Sequence, residues 1–453
     1  MTAAGETEVQ QLHHLARLYG VQTAYYDVIA RQRRRAPPEA LLAVLKALEA
    51  PVEGLQDVPA AVRARTEALW QRSTEPVVVA WEGQPCDLEL RLPLTMANSA
   101  GACQLHLESG EVRSWACELS RLPTLQVAEQ EGTRYVSKSL SLPGGLPWGY
   151  HRFTLEIQGR PFETLVIAAP LHAYAPPQDA QGRGICGIYL PLYALHSQRS
   201  PGSGDLSDLE AFMEWGVGQG SGVVGTLPLL AAFLDDPFDP SPYAPASRLF
   251  WNEFYIDVSL IPESDRSPAA QALLASLLLP QELKALGASA LVDYRHAMAL
   301  KRKILEELAR RFFAEVSGRH AAFRRFLEAH PRVEDYARFR AVCERRHTPW
   351  PAWPQPLRDG VLQEGDYDEE AKRYHLYVQW LAHEQLEALA NKSRQKGPGL
   401  YLDLPLGVHR AGYDVWREPK VFALEASGGA PPDAFFTKGQ NWGFPPLHPE
   451  KIR

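Results

Sequence analysis

Side chains able to do chemistry gather in one run near the C-terminal end, from Ala426 to Gly443, which presents Asp433, Lys438, Gln440, Asn441 and Trp442. Gly428, Gly429, Pro431 and Pro432 exclude helix and strand there, because glycine admits positive φ while proline fixes φ and lacks a donor. A carboxylate, an ammonium and two amides around an indole form a small polar set with an aromatic anchor. Amides and carboxylates pair with sugar hydroxyls, and the indole offers a flat apolar face to a pyranose ring. The same loop is also consistent with Trp442 packing on the protein body. Upstream, Asp403 closes an apolar run, Leu400-Tyr401-Leu402, and Ser241-Pro242-Tyr243 forms a turn that can point a phenol outward.

Other catalytic patterns are absent. His383-Glu384 is followed by Glu387 where a zinc protease needs histidine, the glycines from Gly216 to Gly222 miss the dinucleotide spacing at Ser221, and no Gly-x-Ser-x-Gly elbow occurs. Five cysteines at wide spacings, without a Cys-x-x-Cys, indicate reduced thiols rather than disulfides or zinc. The net charge of -7 gives no general grip on phosphates, which argues against nucleic acid. No apolar run reaches the ~20 residues that span a bilayer, and the N-terminus lacks a signal-like apolar segment, so the expectation is a cytoplasmic protein with no membrane partner.

These residues need elements to hold them, and the period of the sequence changes along the chain. Residues 1–60 read as a helical segment, with Gly20 ending one helix and Pro38 opening another; the basic run at Arg31 to Arg35 reads as a solvated face or helix end. Residues 70–174 alternate as short strands separated by turn residues, the pattern of a β-sandwich. Trp148, Tyr150 and His151 stand at a strand entrance and are assigned to packing and turn geometry. Residues 175–184 are a linker by composition. Beyond it lie three strand-like runs, around Ile188, Val224 and Leu400, with weaker candidates at 254–258 and 421–424. Most of residues 269–396 is helical, and its Trp350 and Trp353 read as pins for a proline-rich strap. Asn252 reads as a turn cap, Lys301 and Tyr294 as packing and solvation, and Asp205 as a loop carboxylate.

The motif Gly429-Ala430-Pro431-Pro432-Asp433 followed by Gly439-Gln440-Asn441-Trp442-Gly443 resembles the signature loop of the amylomaltases, or 4-α-glucanotransferases. Blocks at 192–197, 202–209, 241–247 and 400–408, with Asn252, resemble further family blocks in the same order. The resemblance covers the chain from about residue 184 onward. It implies an α/β fold: N-terminal helices and a β-sandwich, then in residues 185–453 the first three strands of a (β/α)₈ barrel carrying the 269–396 region as a helical insertion. It also implies α-1,4-glucan substrates, no cofactor, and retaining transfer through a covalent glycosyl-enzyme to the 4-hydroxyl of another glucan. By resemblance Gln440 and Trp442 cover the glucan and Tyr243 borders its subsites; Asp403 and Asp433 complete the expected substrate-binding set.

Retaining transfer needs two carboxyl groups ~5 to 5.5 Å apart. By resemblance the nucleophilic Asp, the acid/base Glu and a supporting Asp all follow the Gly439–Gly443 motif, so the expectation is a C-terminally incomplete chain with no catalytic residue of its own. Asp403 is the low-ranking substitute. The rival expectation is a non-catalytic fragment or glucan-binding remnant. Three parallel strands alone leave an open sheet edge and uncovered aliphatics, which predicts poor solubility or a partner that supplies the rest.

Overall fold

The computed structural model describes residues 3–176, 184–277, 280–287, 289–315 and 318–452. It divides into two compact units, one of residues 1–175, 430–440 and 447–453, the other of residues 176–429 and 441–446. Most of the expected linker, residues 177–183, lies outside the described residues.

The first unit begins with α1 (Ala3–Leu18), the hairpin β1 (Ala24–Asp27) and β2 (Gln32–Arg35), α2 (Pro38–Ala47) and α3 (Val58–Gln71). Leu12, Leu15, Leu41, Leu45 and Val58 form the buried seam of the three helices. The helical reading of residues 1–60 is corrected in two places. The basic run is an exposed strand, tied at its turn by Asp27, whose carboxylate accepts from the N–H of Ile29 and Ala30 and pairs with Arg34 at 2.6 Å. Four successive long polar side chains have no apolar face to bury, so pairing within the hairpin, and not burial, sets their conformation. The third helix also runs past residue 60 to Gln71.

Eight strands follow: β3 (Val77–Trp81), β4 (Cys86–Pro93), β5 (Ala100–His106), β6 (Val112–Glu118), β7 (Thr124–Gln130), β8 (Thr133–Leu142), β9 (Gly149–Ile157) and β10 (Arg160–Ala169). They form a five-stranded sheet in the order β3-β10-β9-β5-β6 and a three-stranded sheet in the order β4-β8-β7. Alternate residues Leu88, Leu90 and Leu92 of β4 and Phe153, Leu155 and Ile157 of β9 meet in one core, as a period of two requires. At the entrance of β9 only His151 packs as expected: it is buried, its Nε2 donating to Pro147 O at 2.8 Å and its Nδ1 accepting from Glu108 N at 3.2 Å. Trp148 and Tyr150 are exposed, which corrects their assignment to packing.

In the second unit three strands, β11 (Gly187–Tyr189), β12 (Val223–Thr226) and β13 (Gly399–Leu402), pair in parallel in that order, with α4 (Leu206–Gly218) crossing between the first two. The weaker strand candidates are not strands: 3₁₀ turns span Glu253–Tyr255, Val258–Leu260 and Pro419–Val421. Between β12 and β13 lie α5 (Pro268–Leu277), α6 (Pro280–Gly287), α7 (Tyr294–Ala314), α8 (His320–Ala329), α9 (Val333–Arg346), α10 (Gln355–Arg358) and α11 (Glu369–Lys396); α12 (Tyr413–Arg417) follows β13. Their core is rich in aromatic rings, with Phe312, Phe339, Tyr336, Tyr377, Trp380 and Trp416 buried; Trp350 and Trp353 are buried with them, each Nε1 donating to a backbone carbonyl. No helix among the described residues is long and apolar enough to cross a membrane.

Candidate functional site

Parallel sheets commonly place function at the carboxyl ends of their strands, and in the second unit those ends bring Tyr189 and Asp403 to one edge. Tyr189 is the last residue of β11, and Asp403 directly follows β13, its N–H donating to Thr226 O at 3.2 Å. Tyr243 arrives from the long segment after β12 and donates its hydroxyl to Asp403 Oδ2 at 3.1 Å. The Tyr189 phenol lies close enough to Tyr243 and Asp403 for each to influence its ionisation. Gly225, in the middle strand, makes room for this: a Cβ there would stand 2.6 Å from Tyr189 Cδ2. Partial burial, then the hydrogen bond and charge of Asp403, push the Tyr243 phenol up to about 12. Partial burial and the same carboxylate raise Tyr189. Two protonated phenols and a carboxylate on a half-exposed ledge form a chain of donors and acceptors suited to hydroxyl groups.

The segment carrying Tyr243 is tied down by pairing that substitutes for a sheet. Ala231 donates to Phe250 O and Ala246 donates to Ala231 O at 2.8 and 2.7 Å. Gln379 and Gln385 of α11 act as side-chain surrogates for a neighbouring strand, each amide both accepting from and donating to the backbone, of Trp251 and Asp257 respectively, at 2.7 to 2.9 Å. Asp414 accepts from Ser247 Oγ at 2.5 Å and from Arg248 N at 2.9 Å. Asn252 caps its turn by accepting from Phe254 N at 3.1 Å. Lys301, assigned with Tyr294 to packing and solvation, packs: it is buried on α7 and donates to the carbonyls of Phe254 and Ile256 at 2.5 and 2.9 Å. Asp205 is no open loop carboxylate. It is buried, caps α4 through Ser207 N and Asp208 N, and pairs with Arg199, which also holds Asp208 and Asp257.

Trp442 belongs to the second unit with Tyr243 and Asp403. Its N–H donates to Gly428 O at 2.9 Å, and its ring stacks on Phe444 with centroids 5.9 Å apart. Phe444 lies against Gly407 and Gly428: a Cβ on either would fall 2.2 or 2.3 Å from the ring. Two glycines far apart in sequence thus admit the ring that supports the indole. Asn441 Oδ1 accepts from Ser427 Oγ and Gly443 N, closing the turn beneath it. Asp433 and Gln440 fall in the first unit. The Asp433 carboxylate accepts from Phe435 N and Phe436 N at 2.8 and 2.6 Å, so it folds its own loop. Tyr189 is the residue that sequence reasoning missed; its position at the end of the first strand, matching that of Asp403 at the third, was the available signal. Among the described residues no group of three His, Cys, Asp or Glu side chains is placed to hold a metal.

Fold and ledge together define an α/β protein that presents two phenols and a carboxylate at the ends of parallel strands. Residues 190–453 match the model of the family described as 4-alpha-glucanotransferase, and residues 74–170 match that of the MalQ N-terminal beta sandwich domain. The chain belongs to the 4-alpha-glucanotransferase family. It is 31% identical over 457 residues to the 4-alpha-glucanotransferase of Mycobacterium tuberculosis, covering 97% of this chain and 61% of that protein. It is 30% identical over 339 residues to that of Haemophilus influenzae, covering 69% of this chain and 48% of the relative. The crystal structure of amylomaltase from Corynebacterium glutamicum superposes with a TM-score of 0.78 at 25% identity, covering 98% of this chain and 61% of that one. The chain therefore spans under two thirds of the length of these relatives.

Proposed function

We propose that the chain contributes the substrate grip of a 4-α-glucanotransferase, which moves an α-1,4-glucan segment to the 4-hydroxyl of glucose or of a second glucan. The observation that carries this reading is the Tyr243 to Asp403 hydrogen bond at the carboxyl ends of parallel strands, in a chain of this family. Tyr189, Tyr243 and Asp403 take sugar hydroxyls, and Trp442, in the same unit, offers the glucan the flat face of its ring. The three parallel strands are the first three of a (β/α)₈ barrel, and the helices between β12 and β13 are its insertion.

Transfer follows the retaining course: a carboxylate attacks the anomeric carbon as a carboxylic acid protonates the leaving oxygen, and the acceptor's 4-hydroxyl then displaces the covalent sugar. We assign no residue of this chain to either step. The Tyr243 phenol engages Asp403 as a hydrogen-bond acceptor, which supports a binding role for it over a nucleophilic one. Neutral α-glucans are the partners, without a cofactor, and five free thiols support a reducing, cytoplasmic setting. The test is maltotriose disproportionation, read as released glucose and lengthened maltodextrins, beside maltotriose binding by calorimetry. Binding that Asp403→Ala abolishes, without turnover, is the expected result. Glucose and longer chains from this chain alone would return bond cleavage to its own residues, and binding unaffected by Asp403→Ala would refute the grip.

A further inference from the structure

The outer face of the five-stranded sheet carries aromatic rings that the sandwich core does not use. On β3 Ala80 turns inward and Trp81 outward, 51% exposed; on β9 His151 turns inward and Tyr150 outward, 63% exposed. Trp148, one residue before β9 begins, is 65% exposed. Strand β10 lies between the two, its Ala169 opposite Trp81 and its Ile167 opposite both Val79 and Tyr150. Trp81 and Tyr150 thus stand two inter-strand spacings apart, about 10 to 12 Å along and across the sheet, over a low floor of Val79, Ile167 and Ala169.

The rim is polar and held in place. Glu108 accepts from Tyr150 N at 3.3 Å, and its carboxylate lies where a Cβ on Gly149 would be, 2.2 Å from Oε2. Glu82 accepts from Leu171 N at 2.6 Å. Each carboxylate has a second oxygen to offer, and Arg152, opposite Leu165, adds a donor fork. Two carboxylates against one guanidinium repel a polyanion and give hydroxyls both acceptors and donors, so the charge of this face complements a neutral polyhydroxylated ligand. Flat rings with polar neighbours suit the apolar faces of pyranose units.

We propose that this face is an accessory binding site for α-1,4-glucan, whose non-adjacent sugar rings lie on Trp81 and Tyr150, with the exposed Trp148 directly before β9 adding a third ring. The choice of α-1,4 linkage rests on the function proposed above; the site itself rests on the sheet. It gives the first unit a hold on polymeric glucan that is separate from the ledge at Tyr243 and Asp403.

The test is native electrophoresis of the whole chain in gels containing amylopectin. The parent chain is expected to be retarded, Trp148→Ala and Tyr150→Ala each to weaken retention about fivefold, and the double variant to keep only the retention that Asp403→Ala removes. Trp148→Phe keeps a ring and is expected to keep most of the retention, which separates ring loss from misfolding. Retention in the double variant equal to the parent's, or no retention of the parent, would overturn the proposal. So would self-association of the parent that the double variant loses without any effect on amylopectin. Maltotriose binding in Asp403→Ala tests the ledge independently, so either site can fail while the other stands.

Discussion

The support of Trp442 yields the sharpest prediction. Gly407→Ala adds one Cβ, placed 2.2 Å from both Cγ and Cδ2 of Phe444. Contacts closer than 3.4 Å are rare, so ring and backbone must separate by about 1.2 Å. Cγ is the root of the ring and cannot swing aside as a chain end can, and Gly428 blocks retreat from the other side, with Cζ and Cε2 as close as 2.7 and 2.3 Å to its own would-be Cβ. Forced repacking of this kind costs about 1 to 3 kcal/mol. The matched control is Gly218→Ala at the end of α4, where nothing lies within 4 Å of the new Cβ and helix propensity favours alanine by up to ~1 kcal/mol. Urea denaturation followed by circular dichroism should place Gly407→Ala below the parent and Gly218→Ala at or above it. Gly407→Ala should also weaken the change in tryptophan fluorescence on adding maltodextrin. A Gly407→Ala chain with the parent's midpoint and the parent's response would refute the claim that Phe444 is wedged between two glycines and seats the indole.

Three further outcomes follow from buried or coupled groups. In Asp403→Asn the Tyr243 phenol should titrate below its parent value of about 12 but still above its ordinary one, because burial remains, read by absorbance at 295 nm. Because its folded pKa is raised, Tyr243 contributes stability that is fully present below about pH 10 and lost as pH rises through the folded value. Lys301→Met should destabilise by about 3 to 5 kcal/mol in urea, since it strips two buried carbonyls of their donor and leaves Asp205, Asp208 and Asp257 with Arg199 as their remaining nearby cation. Glu344, half-buried, is held well below the usual carboxylate range by His375 at 2.7 Å and Arg302 at 2.7 Å, against a desolvation effect that would raise it. Its depressed pKa means stability present above the unfolded value of about 4.3 and lost as pH falls toward the folded one. The stability gap between parent and Glu344→Gln should therefore be widest near neutrality and narrow below pH ~4.

How far the chain can be read without coordinates depends on whether a feature is local. The parallel strands were legible because Ile188, Val224 and Leu400 lie in short apolar runs bounded by glycine and proline, and the sandwich because a period of two persists through β4 and β9. The hairpin at Arg31 to Arg35 was not, since strands made of exposed arginines carry no apolar alternation. Lys301 was legible only in part, for the opposite reason: its helix face is apolar, and a single ammonium in it reads as packing and solvation together until the carbonyls of Phe254 and Ile256 arrive from 45 or more residues away. The same limit governs the ledge. Tyr243 and Asp403 could each be marked from a local turn or strand end, but 160 residues separate them, and only folding reveals that one phenol donates to that carboxylate. Tyr189 passed unmarked because a tyrosine inside an apolar strand looks like core, and nothing nearby in sequence says that Gly225 has cleared space for its ring. Pairings with a clear local cause thus belong to the scaffold, while those that join distant segments make up the ledge. The same division covers the entrance of β9: aromatics there read as core by default, and only the register of β9 and β10 shows that Tyr150 shares a face with Ile167, opposite the face on which His151 and Val166 are buried.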